Sequence, residues 1–441
     1  MPWAGGCVKH LALLLAAALL AAPATAALTP AEQRMAATVS AEQGRTLALL
    51  ERMVNQNSGS QNIAGVEAVS GMIRAELEPL GFQVRWIPLR ETGRAGHLVA
   101  THRGRAGTKN ILLIGHLDTV FEPDSPFQKF VREGEQGHGP GAADDKGGVA
   151  VIIAALRAMQ AAGTLRQANV TVFLTGDEED PGTPLSLARR DLIAAGKAAD
   201  VALDFEGLVR ENGRDMGSIA RRSVTDWQLT IKATPGHSSG VFGSSYGANY
   251  ELVRILDQFR RELREPNLTY NVGLIAGGSS AKLDAGRIRA DVTGKTNIIA
   301  AEAVARGDLR AISNDQIARV KQRMQQIVDQ NRLTGVTGAE LGFEEGYPPM
   351  APTAGNQAIL DKLNRVNADL GLPAMPALDP VKRGAGDISF VAADVDGIAG
   401  LGPTSSGDHT PAERVDIASM WPQATRAAIL ITRLSQERRR K

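Results

Sequence analysis

The chain has 441 residues, 43% hydrophobic and 22% charged, an ordinary globular composition that excludes a disordered, collagen-like or multi-span membrane protein. Lys plus Arg number 49 against 48 Asp plus Glu, so no basic excess points to nucleic acid or an anionic membrane as partner. Aromatic residues, at 4%, are too few for a surface built on ring stacking.

Residues 1–26 read as a secretory leader. Lys9 and His10 precede an apolar run, Leu11–Ala22, and Ala24-Thr25-Ala26 is an A-x-A site, so cleavage is expected before Ala27. The run is too short to span a bilayer, and no membrane span is expected after cleavage. Cys7 lies before the apolar run instead of after it, which argues against a lipoprotein. It is also the only cysteine, so the cleaved chain has no thiol chemistry and no disulfide. The expected location is the periplasm or the medium.

Helical periodicity covers Glu42–Val54 and Gly65–Leu80, followed by strand-like runs at Phe82–Ile87 and His97–Thr101. An apolar strand, Asn110–Gly115, leads into a loop reaching about Ala143. Gly147–Gln160 reads as a buried helix, and Asn169–Thr175 and Val201–Phe205 as further buried strands. Helices alternating with short, fully apolar strands predict a sheet covered on both faces. Near residue 220 the pattern changes. Thr225–Lys232 alternates like a half-exposed strand, and Tyr250–Leu263 is helical. Strands at Leu268–Ile275 and Glu302–Ala311, a polar helix Gln316–Asn331 and a strand Glu340–Glu344 complete a β-α-β-β-α-β, ferredoxin-like order. After Tyr347-Pro348-Pro349 the α/β pattern resumes. The expected division is 27–219, an insert over 220–347, and 348–441. The closing Arg438-Arg439-Arg440-Lys441 reads as a solvated helix end.

Chemistry-bearing residues recur at strand ends, where α/β sheets place their sites. In Gly115-His116-Leu117-Asp118, residues i and i+2 of extended chain face the same way, so Asp118 can fix the tautomer of His116 for metal binding. Gly139–Gly148 is a Gly-rich loop entering a helix. It lacks the order of a phosphate loop, and one of Asp144 and Asp145 could be an N-cap. In Asp177-Glu178-Glu179 neighbouring side chains point oppositely, so one Glu could bind a metal while the other stays free as a base. Asp204-Phe205-Glu206 and Gly407-Asp408-His409 complete the series.

The order GHLDT, GPGAADDKGG, GDEE, DFEG and GDHTPAE resembles the co-catalytic dizinc amidohydrolases, a family of glutamate carboxypeptidases, succinyl-diaminopimelate desuccinylases, acetylornithine deacetylases and aminoacylases. The Gly-rich loop is most similar to that of bacterial glutamate carboxypeptidase. The resemblance implies an α/β fold: a mixed-sheet catalytic domain with an inserted ferredoxin-like α+β lid and dimerisation domain. It implies two zinc ions per subunit, with cobalt or manganese as substitutes. His116 and Glu206 would hold one, His409 and Glu179 the other, and Asp144 would bridge them. Glu178 would be the general base and Asp118 the partner of His116. By the same resemblance His237, in Gly236-His237-Ser238-Ser239, would reach the active site of a second subunit, and Asn297 and Arg310 would contact the substrate carboxylate. The implied activity is hydrolysis of an amide bond beside a free C-terminal carboxylate in a small peptide or N-acyl amino acid. The first choice is a glutamate-type carboxypeptidase; the alternative is an N-acyl-amino-acid deacylase or dipeptidase. Arg221, Arg222 and Arg383 are candidate specificity residues.

Gly236–Gly240 also fits G-x-S-x-G, with Asp387 and His409 following in the Ser-Asp-His order of serine hydrolases. That reading would make Ser238 the nucleophile of a secreted esterase. It lacks a strand running straight into a helix, and it leaves His116, Asp144, Glu178 and Glu179 without a role.

Overall fold

The computed structural model describes residues 28–439, so the expected leader, with its cleavage site, lies outside the described residues. A six-stranded mixed sheet runs in the order 83–88, 96–102, 169–175, 110–116, 201–204, 397–398. The first two pairings are antiparallel and the remaining three parallel. Ile111, Leu112, Leu113 and Ile114 on the central strand are buried, as a strand covered on both faces requires. The helix Lys146–Ala161 is apolar all round and nearly every residue in it is buried. It packs with the N-terminal helices and with Ile417–Leu434 on one face of the sheet. The other face is covered by Leu192 and Ala195 of Arg190–Ala198 and by Ile388, Val391 and Val395.

The insert has its own sheet and core. Its strands run in the order 269–270 and 274–278, 302–310, 225–233, 336–343, antiparallel throughout, which is the ferredoxin-like arrangement. Helices Ala248–Glu262 and Asn314–Asp329 cover one face, with Trp227 and Phe259 meeting edge to face at its centre. The last strand spans Val336–Phe343, four residues ahead of the expected start, because it pairs along the length of Thr225–Ala233. A hairpin, Ser280–Leu283 with Ala290–Thr293, extends the insert between the strands expected at Leu268–Ile275 and Glu302–Ala311. The chain enters and leaves the insert side by side, with Arg221 bridged to Met350 and Val224 to Tyr347.

Two further features were not foreseen. The long loop after His116 contributes two three-residue strands, Val131–Glu133 and Gln136–His138, to a four-stranded sheet completed by Arg414–Asp416 and Ser405–Ser406. This small sheet swings the Gly407–Glu413 loop over the Gly-rich loop. Arg438 and Arg439 do not end a helix: the last helix stops at Leu434, Arg438 bridges to Thr108, and Arg439 pairs with Asp200 at 3.2 Å. Among the described residues no helix is long and apolar enough to cross a membrane.

Candidate active site

Parallel pairing aligns three strand ends on one edge of the main sheet. His116 stands opposite Thr175, just ahead of Asp177-Glu178-Glu179, and Ile114 stands opposite Asp204, just ahead of Glu206. His116 is buried, with Nε2 at 3.0 Å from Asp144 Oδ1. Its Nδ1 lies 3.1 Å from the Asp118 carbonyl and 3.5 Å from the Asp118 carboxylate, so the main chain is the nearer partner. The Asp118 carboxylate accepts from the Ser60 hydroxyl at 2.6 Å and from the backbone N–H groups of Glu178 and Glu179 at 3.0 Å each. One buried carboxylate therefore sits beside His116 and holds the main chain of both glutamates.

Asp144 lies between two histidines, its Oδ2 3.2 Å from His409 Nε2. Glu179 Oε2 is also 3.2 Å from His409 Nε2. Donor atoms of His116, Asp144 and Glu179 fall within 4.8 Å of one another. Asp145 is the residue before the helix but makes no capping hydrogen bond. Its carboxylate accepts from the His116 N–H at 3.2 Å, in a space that exists only because Gly115 and Gly148 lack a Cβ. The N-cap alternative is thereby set aside for Asp145, and the histidine contacts set it aside for Asp144.

Glu206 lines the same cleft, of ≈ 260 Å³, with Asp144, Arg383, Asp408 and His409. Its closest charged contacts, Arg221 at 2.8 Å and Arg383 at 3.1 Å, both fall on Oε2. Arg221 also reaches Asp204 at 3.2 Å. Arg222 bridges Thr269 of the insert to the Val381 carbonyl.

The electrostatics of the cluster invite cations. Burial works against the charge of Asp144, but hydrogen bonds from His116 and His409 outweigh it and hold its carboxyl well below the usual range. Burial raises Glu179 to about 7. Burial, and next the charge of Glu206, push Glu178 well above the ordinary glutamate value. Hydrogen bonds to Asp144 and Glu179 raise His409 to about 11. Buried oxygens of Asp145 and Glu206 have no hydrogen-bond partner among the described residues. Imidazoles and crowded carboxylates form a donor set that fits divalent transition metals.

The residues expected to contact substrate are spread out. His237 is exposed in the insert, with its ring on Ser239 at 2.9 Å. Asn297 is exposed nearby, its carbonyl accepting from Ser238 N–H at 2.9 Å. Arg310 bonds Asp308 at 2.7 Å and faces Gly384 across the gap between the two units. The serine-hydrolase alternative fails on geometry. Ser238 begins a three-residue 3-10 turn instead of joining a strand to a helix. Asp387 is taken by Thr175 and by Arg189 at 2.9 Å, while the His409 ring faces Asp144 and Glu179.

Other parts of the site went unread in the sequence. Arg189 is fully buried between Asp177, at 2.7 Å, and Asp387. It also donates to the Asp177 carbonyl and to the Tyr347 hydroxyl. Glu413, within the GDHTPAE motif, receives N–H groups from the Gly-rich loop.

The family model of Peptidase family M20/M25/M40 matches residues 112–433. The chain belongs to this family. It is 28% identical over 403 residues to carboxypeptidase G2 of Pseudomonas sp. (strain RS-16), covering 88% of this chain and 89% of that one. It is 24% identical over 388 residues to succinyl-diaminopimelate desuccinylase of Leptothrix cholodnii, covering 86% and 95%. The fold matches that of Bacillus subtilis YXEP protein, a dinuclear metal-binding peptidase of family M20, with a TM-score of 0.63 at 16% identity, covering 90% and 99%. As an M20 peptidase the protein is a metal-dependent hydrolase of amide bonds, with the expected mixed α/β sheet and inserted α+β lid.

Proposed function

We propose that this M20 hydrolase is an exported dizinc enzyme that cleaves the amide bond beside a free C-terminal carboxylate, as a glutamate-type carboxypeptidase. The observation that carries the reading is the placement of Asp144 between His116 and His409 with Glu179 alongside. His116, Asp144, Glu179, Glu206 and His409 would hold the metals. Zinc bound there would supply Lewis-acid charge that acidifies water and polarises the scissile carbonyl.

The chain's own groups do the rest. Glu178 takes the proton of the attacking water on its carboxylate and passes it to the leaving amide nitrogen. Asp118 fixes the backbone of Glu178 and Glu179 through the two N–H bonds, so base and ligand keep one spacing. Arg310 is the donor suited to a substrate carboxylate, since a guanidinium offers two parallel N–H groups. His237 is exposed in the insert, which suits a role in a second subunit of a lid-to-lid dimer. A second reading, N-acyl-amino-acid deacylase or dipeptidase, is favoured by the likeness to succinyl-diaminopimelate desuccinylase.

The test is hydrolysis of a panel of N-acyl amino acids and dipeptides, as purified, after chelation and after zinc is restored. Loss with chelator, recovery with zinc and preference for a glutamate leaving group support the proposal. Preference for another leaving residue moves it to the second reading. Activity indifferent to chelator but lost to a serine-directed phosphonate would overturn both.

A further inference from the structure

Glu413 joins two loops that the chain keeps far apart in sequence. Its side chain is buried, and both carboxylate oxygens are engaged by backbone of the Gly-rich loop. Oε1 accepts from the N–H of Ala143 at 3.0 Å and of Asp144 at 3.2 Å, and Oε2 accepts from the N–H of Gly141 at 3.2 Å. With both oxygens so occupied, Glu413 is no candidate ligand itself. Its own segment carries His409: the Glu413 N–H donates to the Thr410 carbonyl at 2.9 Å, closing a tight turn just after the histidine.

The surroundings fix this arrangement from both sides. Arg414 pairs with His138 in the small four-stranded sheet, which sets Glu413 beside the start of the Gly-rich loop. On the loop's other side the buried Lys146 ammonium donates to the Gln56 carbonyl at 3.1 Å and the Pro140 carbonyl at 3.4 Å. The result is a short path, His409 to Glu413 to the Asp144 main chain, running beside the 3.2 Å contact between the His409 and Asp144 side chains.

We infer that Glu413 is a positioning residue for the metal site, fixing the separation of Asp144 and His409 by gripping three N–H groups of one loop from within the other. The inference rests on Asp144 and His409 being metal ligands. Partners that orient ligands typically govern metal affinity by about 10–100-fold.

Glu413→Gln keeps the size of the side chain but sets an NH₂ group against a backbone N–H, and Glu413→Asp keeps the charge but shortens the reach. Zinc affinity and stoichiometry of both variants and of the unchanged protein are measured by competition with a chromophoric chelator, with thermal melting of the metal-free proteins alongside. Both variants should bind zinc about 10–100-fold more weakly. At limiting zinc kcat should fall, and in excess zinc it should largely return with KM unchanged. Variants that bind zinc as the unchanged protein does would overturn the inference, including where the metal-free melting point drops, since Glu413 would then be structural only. An unchanged protein that binds no zinc would instead overturn the ligand assignment on which the inference stands.

Discussion

The Tyr347 hydroxyl donates a 2.6 Å hydrogen bond to the main-chain carbonyl of Glu178. Tyr347 sits where the chain returns from the insert, bridged to Val224 where it enters, so the connection to the insert touches the main chain of the proposed base directly. Arg189 donates to the same hydroxyl at 3.1 Å. Tyr347→Phe should therefore lower kcat by about tenfold, the worth of a buried hydrogen bond left unmade, and leave KM within about twofold. Steady-state kinetics on the preferred substrate check this; an equal rise in KM would show that the contact serves binding instead.

Glu178→Gln removes the proton acceptor while keeping the backbone bond to Asp118. The expected loss in kcat is about 10²–10⁴-fold, the usual contribution of general acid–base catalysis. Metal content by mass spectrometry should match that of the unchanged protein, because Glu178 is not placed among the ligands.

Arg189 balances two buried carboxylates at once, Asp177 at 2.7 Å and Asp387 at 2.9 Å. Arg189→Met keeps much of the volume but leaves both acids without a counter-charge, which costs about 3–5 kcal/mol when a buried pair is broken. Chemical denaturation should show that loss. A variant as stable as the original would mean that the fold does not depend on Arg189 as the counter-charge of Asp177 and Asp387.

Asp215 ties the segment before the insert to the last helix, accepting from Arg210 at 2.9 Å and Arg426 at 2.8 Å. Burial opposes its charge, but these hydrogen bonds outweigh it and hold its carboxyl below the usual range. A carboxyl lowered in the folded state stabilises above its unfolded pKa, about 3.9, and that stability is lost as pH falls through the folded value. Asp215→Asn should thus lower stability by about 1 kcal/mol at neutral pH, allowing for its partial exposure to solvent. Thermal melts should show the gap between the two proteins closing below about pH 4.

His116 and the acidic clusters Asp177-Glu178-Glu179 and Asp204-Phe205-Glu206 could be read from the sequence because each closely follows an apolar strand, and parallel strands deliver their ends to one edge; the choice of Glu179 and Glu206 within them came from the resemblance. His409 could be placed only by resemblance. It reaches Asp144 on a sheet whose strands are two or three residues long, too short to show a period. Glu413 lay inside a motif already singled out, but no local signal says where its carboxylate goes. Arg189 and Arg190 look alike in sequence, yet the first is fully buried and the second largely exposed. What separates them is a contact with Asp387, almost two hundred residues away, which no local pattern can report. The pairing of Glu206 with Arg221 and Arg383 was hidden for the same reason.

The two segments that carry the chain into and out of the insert run next to each other, Arg221 opposite Met350. Paired residues of antiparallel chains lie only about 5 Å apart. A short turn could therefore join them and close the main sheet over without the insert, whose separate core would remain a foldable piece. In architectural terms the lid is a cassette mounted on a single doorway. The catalytic scaffold could exchange one insert for another while His116, Asp144, Glu179 and His409 kept their places.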